Sequence, residues 1–287
     1  MANPARDGLL LVDKPAGMTS HDVVDRARRA LRTKRVGHAG TLDPFATGLL
    51  VLLVGRATRL LPYVDGEPKV YEATIRFGAE TNTDDVTGEV TRTAPSPAPA
   101  DVERALGTLT GPIDQVPPAF SAKQVGGQRA YVAARRGEAL ELPPTRVHVH
   151  SWSLGGWTGD ELRATIVCGG GTYIRALARD LGRATGSAAH LVALRRVASG
   201  RFNVGDAVNA DALSDAALRP AVDALPAVPR VRMDEAARTR VGRGMTIARD
   251  PADDAEVAAL LDAGGELVAI AARDGDAWQP RVVLVDG

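Results

Sequence analysis

Gly37-His-Ala-Gly40-Thr-Leu-Asp43-Pro44-Phe-Ala-Thr-Gly48-Leu-Leu50 (GHAGTLDPFATGLL) is the stretch on which the reading of this chain turns. It places one carboxylate, Asp43, where regular structure is disfavoured. Gly37, Gly40 and Gly48 supply conformational freedom, and Pro44 pushes Asp43 out of the helical region and removes the next amide donor. The carboxylate is therefore expected on a bend. Asp-Pro is also a common turn initiator whose side chain bonds its own backbone, so the segment by itself fits either a site or a plain turn.

Working outward, Leu9 to Val12 reads as a short buried strand. Thr19 and Asp22 form a T-x-x-D start signal for a helix whose apolar positions Val23, Val24, Ala27, Ala30 and Leu31 follow the 3.6-residue period. Gly48 to Val54 is too short to cross a membrane and too apolar for an edge strand, so it reads as a central buried strand, with a short helix from Ala57 to Tyr63 behind it. Val70 to Phe77, Gly88 to Thr93 and Leu162 to Val167 read as strands. A stiff Ala94-Pro-Ser-Pro-Ala-Pro-Ala connector precedes a helix expected from Asp101 to Leu109. Residues 112–145 begin and end with proline pairs and enclose a basic amphipathic stretch, Lys123 to Arg136. Gly171 to Leu181 passes from a glycine-rich loop into an amphipathic helix. Beyond Leu225, Pro-Ala-Val-Pro-Arg breaks the pattern, and Glu266 to Ala271 and Arg281 to Val285 read as strands of a separate C-terminal part.

The Asp43 segment resembles the GxLDPxATG motif of the tRNA pseudouridine-55 synthase (TruB) family of pseudouridine synthases. Four further motifs follow the family's order. Leu10 to Ser20 (LLVDKPAGMTS) is similar to its LLxDKPxGxTS segment, and Lys69-Val-Tyr71 to its K-x-Y motif, with the Gly78 to Gly88 run after it. Cys168 to Arg175 (CGGGTYIR) resembles CxxGTYIR, and Gly186 to Arg196 resembles GxxAHxxxLRR. The resemblance implies an α+β fold: a catalytic domain over 1–225 with a mixed, mainly antiparallel sheet, a thumb-like RNA-clamping insertion at 112–145, and a small β-rich PUA-like RNA-binding domain at 228–287. It also implies isomerisation of uridine to pseudouridine at position 55 in the T loop of tRNA, with Asp43 as nucleophile.

The same resemblance makes Tyr71 the platform for the flipped base, places His38 against the RNA loop the base has left, and puts Leu194 in the uracil pocket. Lys14 and Asp85 become supporting positions, with salt-bridge or turn roles as alternatives. Tyr173 and Arg175 lie two apart in a segment read as extended, hence on one face, which offers the arginine as a partner for Asp43. Breaking the N1–C1′ bond and rejoining the base through C5 calls for a nucleophile rather than a redox cofactor, so no cofactor is expected. Read without the resemblance, Tyr71 and Leu194 are also compatible with plain core.

Composition sets outer bounds. A 287-residue chain with 45% hydrophobic content buries a full core and has room for a second small domain. Without an eighteen-residue apolar run or a basic-then-apolar leader, a cytoplasmic protein with no membrane association is expected. The single cysteine, Cys168, excludes an intramolecular disulfide and reads as a small buried residue. His148-Val-His150 sets two imidazoles on one strand face with no third ligand nearby, so no metal is expected. Net charge is zero, but residues 231–287 carry 7 Arg against 11 acidic groups, leaving +4 in residues 1–230. Arg26, Arg28, Arg29, Arg32, Lys34 and Arg35 cluster before the Asp43 loop, and Arg195, Arg196 and Arg201 cluster later; both read as an RNA footprint. The expected partner is the tRNA T-arm, bound by a monomer without an obligate protein partner. A guide-RNA-dependent pseudouridylase and a tRNA-binding or folding module are the rival readings.

Overall fold

The computed structural model describes residues 7–121, 123–136 and 140–285. The elements of its first half are β1 (Gly8–Lys14), α1 (Ser20–Ala30), β2 (Val36–His38), β3 (Thr47–Val54), β4 (Lys69–Phe77), β5 (Ala79–Thr81), β6 (Val90–Thr93), α2 (Pro99–Leu106), β7 (Gly111–Gln115), β8 (Gln124–Val125), β9 (Gln128–Arg129) and α3 (Ala130–Arg135). Then come β10 (Thr145–Thr158), β11 (Glu161–Cys168), α4 (Ile174–Ala184), β12 (Ala189–Ser199), β13 (Phe202–Asn203) and β14 (Val208–Asn209). The last are β15 (Arg230–Arg232), α5 (Glu235–Gly242), β16 (Ile247–Ala248), β17 (Val257–Leu261), β18 (Leu267–Asp274) and β19 (Ala277–Val283). The described residues form two compact units, one of those within 1–43, 49–66 and 204–287, the other of those within 44–48 and 67–203.

In the first unit β1 lies between β14 and β3, and β2 pairs antiparallel with β3. Leu9 to Val12 and Leu49 to Val54 are buried on both faces, which is why they read as unbroken apolar runs rather than alternating ones. Helix α1 lays Val23, Val24, Ala27 and Leu31 onto Leu10, Val12, Leu50, Leu52 and Val54. The expected helix from Ala57 to Tyr63 is a 3₁₀ segment, Gly55–Tyr63, with Pro62 inside it; proline has no amide to donate to an α-helical ladder. Within this unit β15–β17–β18–β19–β16 form a separate sheet around Met233, Val241, Leu260, Val268 and Trp278. Its last strand begins at Ala277 rather than Arg281, because Trp278, buried, pairs with Ile247 on one side and Arg273 on the other.

The second unit is an antiparallel sheet in the order β12–β4–β11–β10–β7, with the first residues of β3 added parallel to β12 through Arg195 opposite Thr47 and Arg196 opposite Gly48. On β4, Tyr71, Ala73, Ile75 and Phe77 are buried while Glu72 and Arg76 are exposed, a period-two pattern with one covered face. Helix α4 packs on β12 and β4 through Ile174, Leu177, Ala178 and Leu181. Helix α2 starts two residues before Asp101, with Pro99 in its first turn where a missing amide costs nothing, and gives way to a 3₁₀ turn at Gly107–Leu109. The Gly88 to Thr93 strand shortens to the exposed β6, paired with β5. Lys123 to Arg136 holds the β8–β9 hairpin and α3; residues 122 and 137–139 of the expected insertion lie outside the described residues.

Candidate active site

The Asp43 loop is built from the N-terminal motif. Lys14 is buried, and its Nζ donates to the Pro15 carbonyl (3.0 Å) and the Met18 carbonyl (2.7 Å). That turn delivers Thr19 as the N-cap of α1: Thr19 Oγ1 accepts from the Asp22 amide (3.0 Å) and the Asp22 carboxylate accepts from the Thr19 amide (2.8 Å). Hydrogen bonds from Thr19 hold the Asp22 carboxyl below its ordinary range. Ser20, the first helical residue, is buried. Its hydroxyl accepts from the Leu42 amide (2.8 Å) and donates to the Leu42 carbonyl (3.1 Å).

Both backbone groups of the residue before Asp43 are thus fixed by one side chain, and Pro44 fixes the residue after. Asp43 itself lies in irregular backbone and is half-exposed, as expected of a carboxylate on a bend. Of the three glycines flanking it, Gly40 (φ +95°) and Gly48 (φ +101°) use the left-handed region, whereas Gly37 lies within β2. His38 ends β2 opposite Leu52 and is half-buried.

Reading Ser20 only as part of a helix start misses this role. The signal was present, because Ser20 lies on the same helical stripe as Val24, Ala27 and Leu31, and a polar group on an apolar stripe needs a buried partner.

In the second unit, Gly48, Arg196, Tyr71, Ile166 and Trp152 occupy one row across β3, β12, β4, β11 and β10. A Cβ at Gly48 would sit 2.3 Å from the Arg196 carbonyl oxygen, so no side chain fits there. Tyr71 is buried, and Leu194, also buried, lies one pleat along β12 opposite Ala73, so the two share a face. Arg196 is 1% exposed. It is a residue of the sheet and not the solvent-facing footprint expected of it.

Tyr173 and Arg175 do not share an extended segment. Tyr173 is the N-cap of α4 with extended backbone, and Arg175 is already inside the helix. What fixes Tyr173 is Gln115 at the end of β7: its Oε1 accepts from the Tyr173 amide (2.8 Å) and its Nε2 donates to the Tyr173 carbonyl (3.1 Å). Arg175 donates to the carbonyls of Thr83 (2.8 Å) and Phe120 (3.0 Å) and lies 3.6 Å from the Asp85 carboxylate.

Asp85 in turn accepts from the hydroxyls of Thr83 (2.8 Å) and Thr87 (2.5 Å) and from the Thr87 amide (2.9 Å). Arg175, Arg179 and Arg183, one helical turn apart, face Asp85, Asp84 and Glu80 respectively. Arg179 also donates to the Val116 carbonyl at the root of the insertion (2.8 Å). Burial pushes the Asp84 carboxyl up to about 6 against the pull of Arg179, Arg175 and Arg183. Burial also pushes Glu80 up, but hydrogen bonds from Arg183 and Arg92 outweigh it and leave the carboxyl below its ordinary range. This ladder orders the 80–85 segment, and of its members only Arg175 and Asp85 were anticipated.

Burial in β11 raises the Cys168 thiol to about 11, in keeping with a small packing residue. The His148 and His150 rings lie 4.5 Å apart, and among the described residues no group of three or more His, Cys, Asp or Glu side chains could hold a metal ion. Among the described residues no helix is long and apolar enough to cross a membrane.

The α+β architecture with its mixed, mainly antiparallel sheet is shared with solved structures. A Cbf5–Nop10–Gar1 complex aligns at a TM-score of 0.71 over 98% of this chain and 86% of that one, with 23% identity. An H/ACA RNP bound to a substrate RNA containing 2′-deoxyuridine aligns at 0.71 over 99% and 92%, with 21% identity. At that identity the likeness defines the fold. Sequence defines more. Residues 28–174 match the TruB family pseudouridylate synthase N-terminal domain, and residues 175–226 match the tRNA pseudouridylate synthase B C-terminal domain. The chain is 44% identical to the tRNA pseudouridine synthase B of Thermobifida fusca (strain YX), over 97% of this chain and 98% of that protein. It is 43% identical to that of Paenarthrobacter aurescens (strain TC1), over 98% and 96%. The chain belongs to the TruB family of pseudouridylate synthases, isomerases that convert uridine to pseudouridine.

Proposed function

We propose that this enzyme converts the T-loop uridine of tRNA at position 55 to pseudouridine, with Asp43 as the nucleophile and tRNA alone as its partner. The observation that carries the assignment of Asp43 is the Ser20–Leu42 clamp: an incidental turn aspartate has no need of a buried side chain fixing the residue before it. The names of the relatives support tRNA as the substrate. The target base lies inside a folded loop and is flipped out to react. Tyr71 stacks on it, Leu194 walls the pocket, and Tyr173 and Arg175 line the approach. His38 packs where the base has left, and Lys14 and Asp85 hold the loops on which these groups stand.

The carboxylate of Asp43 attacks the uridine or stabilises the charge that develops as N1–C1′ breaks; the base rotates and rejoins through C5. The Tyr71 phenol is then placed to relay the C5 proton. The enzyme works in the cytoplasm as a monomer, without a cofactor.

Incubating the purified protein with an unmodified tRNA transcript, then carbodiimide labelling and primer extension, tests this. The expected result is a stop at position 55 with wild type and none with Asp43→Ala, whose tRNA affinity stays within a few-fold because phosphate contacts supply positioning. No stop with wild type on bare transcript, or equal turnover by the variant, would refute it.

A further inference from the structure

Lys69 opens β4 two residues before Tyr71, so strand alternation puts both side chains on the covered face, about 7 Å apart along the strand. It is half-buried, yet among the described residues its ammonium makes no hydrogen bond or ion pair. One cation, Arg196, and one carboxylate, Glu67, act on it. Burial lowers its pKa, and the charge of Arg196 on the adjacent strand lowers it further, against a smaller opposite pull from Glu67.

The neighbouring loop brings glycines, not side chains of its own, up to the ammonium. A Cβ at Gly170 would meet the Glu67 carboxylate at 2.2 Å and the Lys69 Nζ at 3.7 Å, while Gly171 (φ +76°) has nothing within 4 Å of its missing side chain. A lysine with no bonded partner among the described residues, next to Arg196 and beside a run of glycines that ends in open space at Gly171, is placed for an anion. A fold needing only stability gains nothing from leaving it there.

We propose that Lys69 binds an RNA backbone phosphate next to the nucleotide whose base stacks on Tyr71, making the K-x-Y spacing a phosphate-and-base reader. This rests on the role given to Tyr71 above. A nucleotide's own phosphates travel with its base, so an ammonium one pleat from the stacking ring meets the phosphodiester when the base is seated. The phosphate also offsets the repulsion between Lys69 and Arg196, so binding at this point is charge-assisted.

The test is the salt dependence of RNA binding by the full-length enzyme, measured with a T-arm stem-loop transcript over a series of KCl concentrations for wild type, Lys69→Gln and Lys69→Arg. Loss of one phosphate contact reduces the slope of log Kd against log salt by about 0.7–0.9. Lys69→Gln is expected to show that reduction together with weaker binding at low salt, and Lys69→Arg to keep the wild-type slope. Thermal melts run alongside: an unchanged slope in Lys69→Gln overturns the proposal, and if affinity and Tm fall together at that unchanged slope, Lys69 is a packing residue. Isomerisation of the same stem-loop by wild type is followed in parallel. No isomerisation overturns the functional reading, whereas full isomerisation with an unchanged Lys69→Gln slope overturns only this inference.

Discussion

Replacing Ser20 by alanine removes one oxygen, and the structure says where the cost falls. The Leu42 amide and carbonyl lose bonds of 2.8 and 3.1 Å in a buried setting, and alanine offers no substitute. A buried backbone group left unpaired costs about 1–3 kcal/mol, so two of them, partly relieved by loop movement, destabilise the protein by about 2–4 kcal/mol. For a chain of this size that lowers Tm by roughly 5–12 °C. The loop movement is the second effect. Asp43 is the next residue, and a displacement of about 1 Å at a reacting group costs about 10²-fold in rate.

Ser20→Ala is therefore expected to reduce the single-turnover rate of pseudouridine formation by about 10- to 100-fold, while tRNA affinity stays within about threefold because no phosphate contact is lost. Ser20→Thr keeps the hydroxyl and should recover most of the rate. The assay is rapid quench with tritium release from C5-labelled transcript, below the variant's melting range. If Ser20→Ala melts lower but reacts within about twofold of wild type, the clamp serves stability alone and other contacts aim Asp43.

Tyr71→Phe should keep base stacking but slow the single-turnover step, whereas Tyr71→Leu should also weaken capture of the base; equal rates for Phe and wild type would leave Tyr71 a platform only. Gln115→Leu strips both partners from the Tyr173 backbone and should cut the single-turnover rate by about tenfold with little change in Kd, measured side by side. Asp84 has a folded pKa of about 6 against 3.8, so its contribution to folding is full below pH 3.8 and lost as pH rises through 6. Asp84→Asn, whose side chain tolerates the φ of +60° there, should remove that dependence, worth at most about 3 kcal/mol, from a Tm-versus-pH series. Deleting residues from Val228 onward removes the five-stranded sheet with its own core and should leave an active enzyme with a raised KM; lost kcat at normal KM would show that sheet to belong to the catalytic body.

Much of the fold was legible because its signals are local. The two apolar runs, the Thr19–Asp22 cap and the alternation along β4 each announce an element within ten residues, and all four elements lie where they were read. Boundaries failed where two local signals competed. Pro62 makes the expected short helix a 3₁₀ segment, and Trp278 drew a strand four residues upstream. Charge was the least reliable guide. Arg175, Arg179 and Arg196 are buried, and Arg26 and Arg28 are paired with Asp211 and Asp25, whereas Arg29, Arg32, Lys34 and Arg35 do face solvent. A run of arginines in a sequence does not distinguish a phosphate contact from a guanidinium holding a loop. That depends on carboxylates and carbonyls brought up from elsewhere in the chain.

The candidate site divides along the same line. Residues assigned to chemistry were visible through motifs, but those that hold them were not. Ser20 reaches Leu42, Gln115 reaches Tyr173 and Arg179 reaches Val116, at separations of 22, 58 and 63 residues. In each case the partner is a backbone group, which every residue carries, so the partner's identity leaves no mark in the sequence. The physical demand explains why such clamps stand beside the groups proposed to act on the base. A loop that presents a carboxylate or an aromatic ring to a flipped base cannot bury that side chain as its own anchor, so a side chain elsewhere must satisfy its backbone. A buried hydroxyl or amide does this with two opposed hydrogen bonds, fixing position and orientation together. Ser20 and Gln115 are therefore the residues at which substitution separates the geometry of the site from its chemistry.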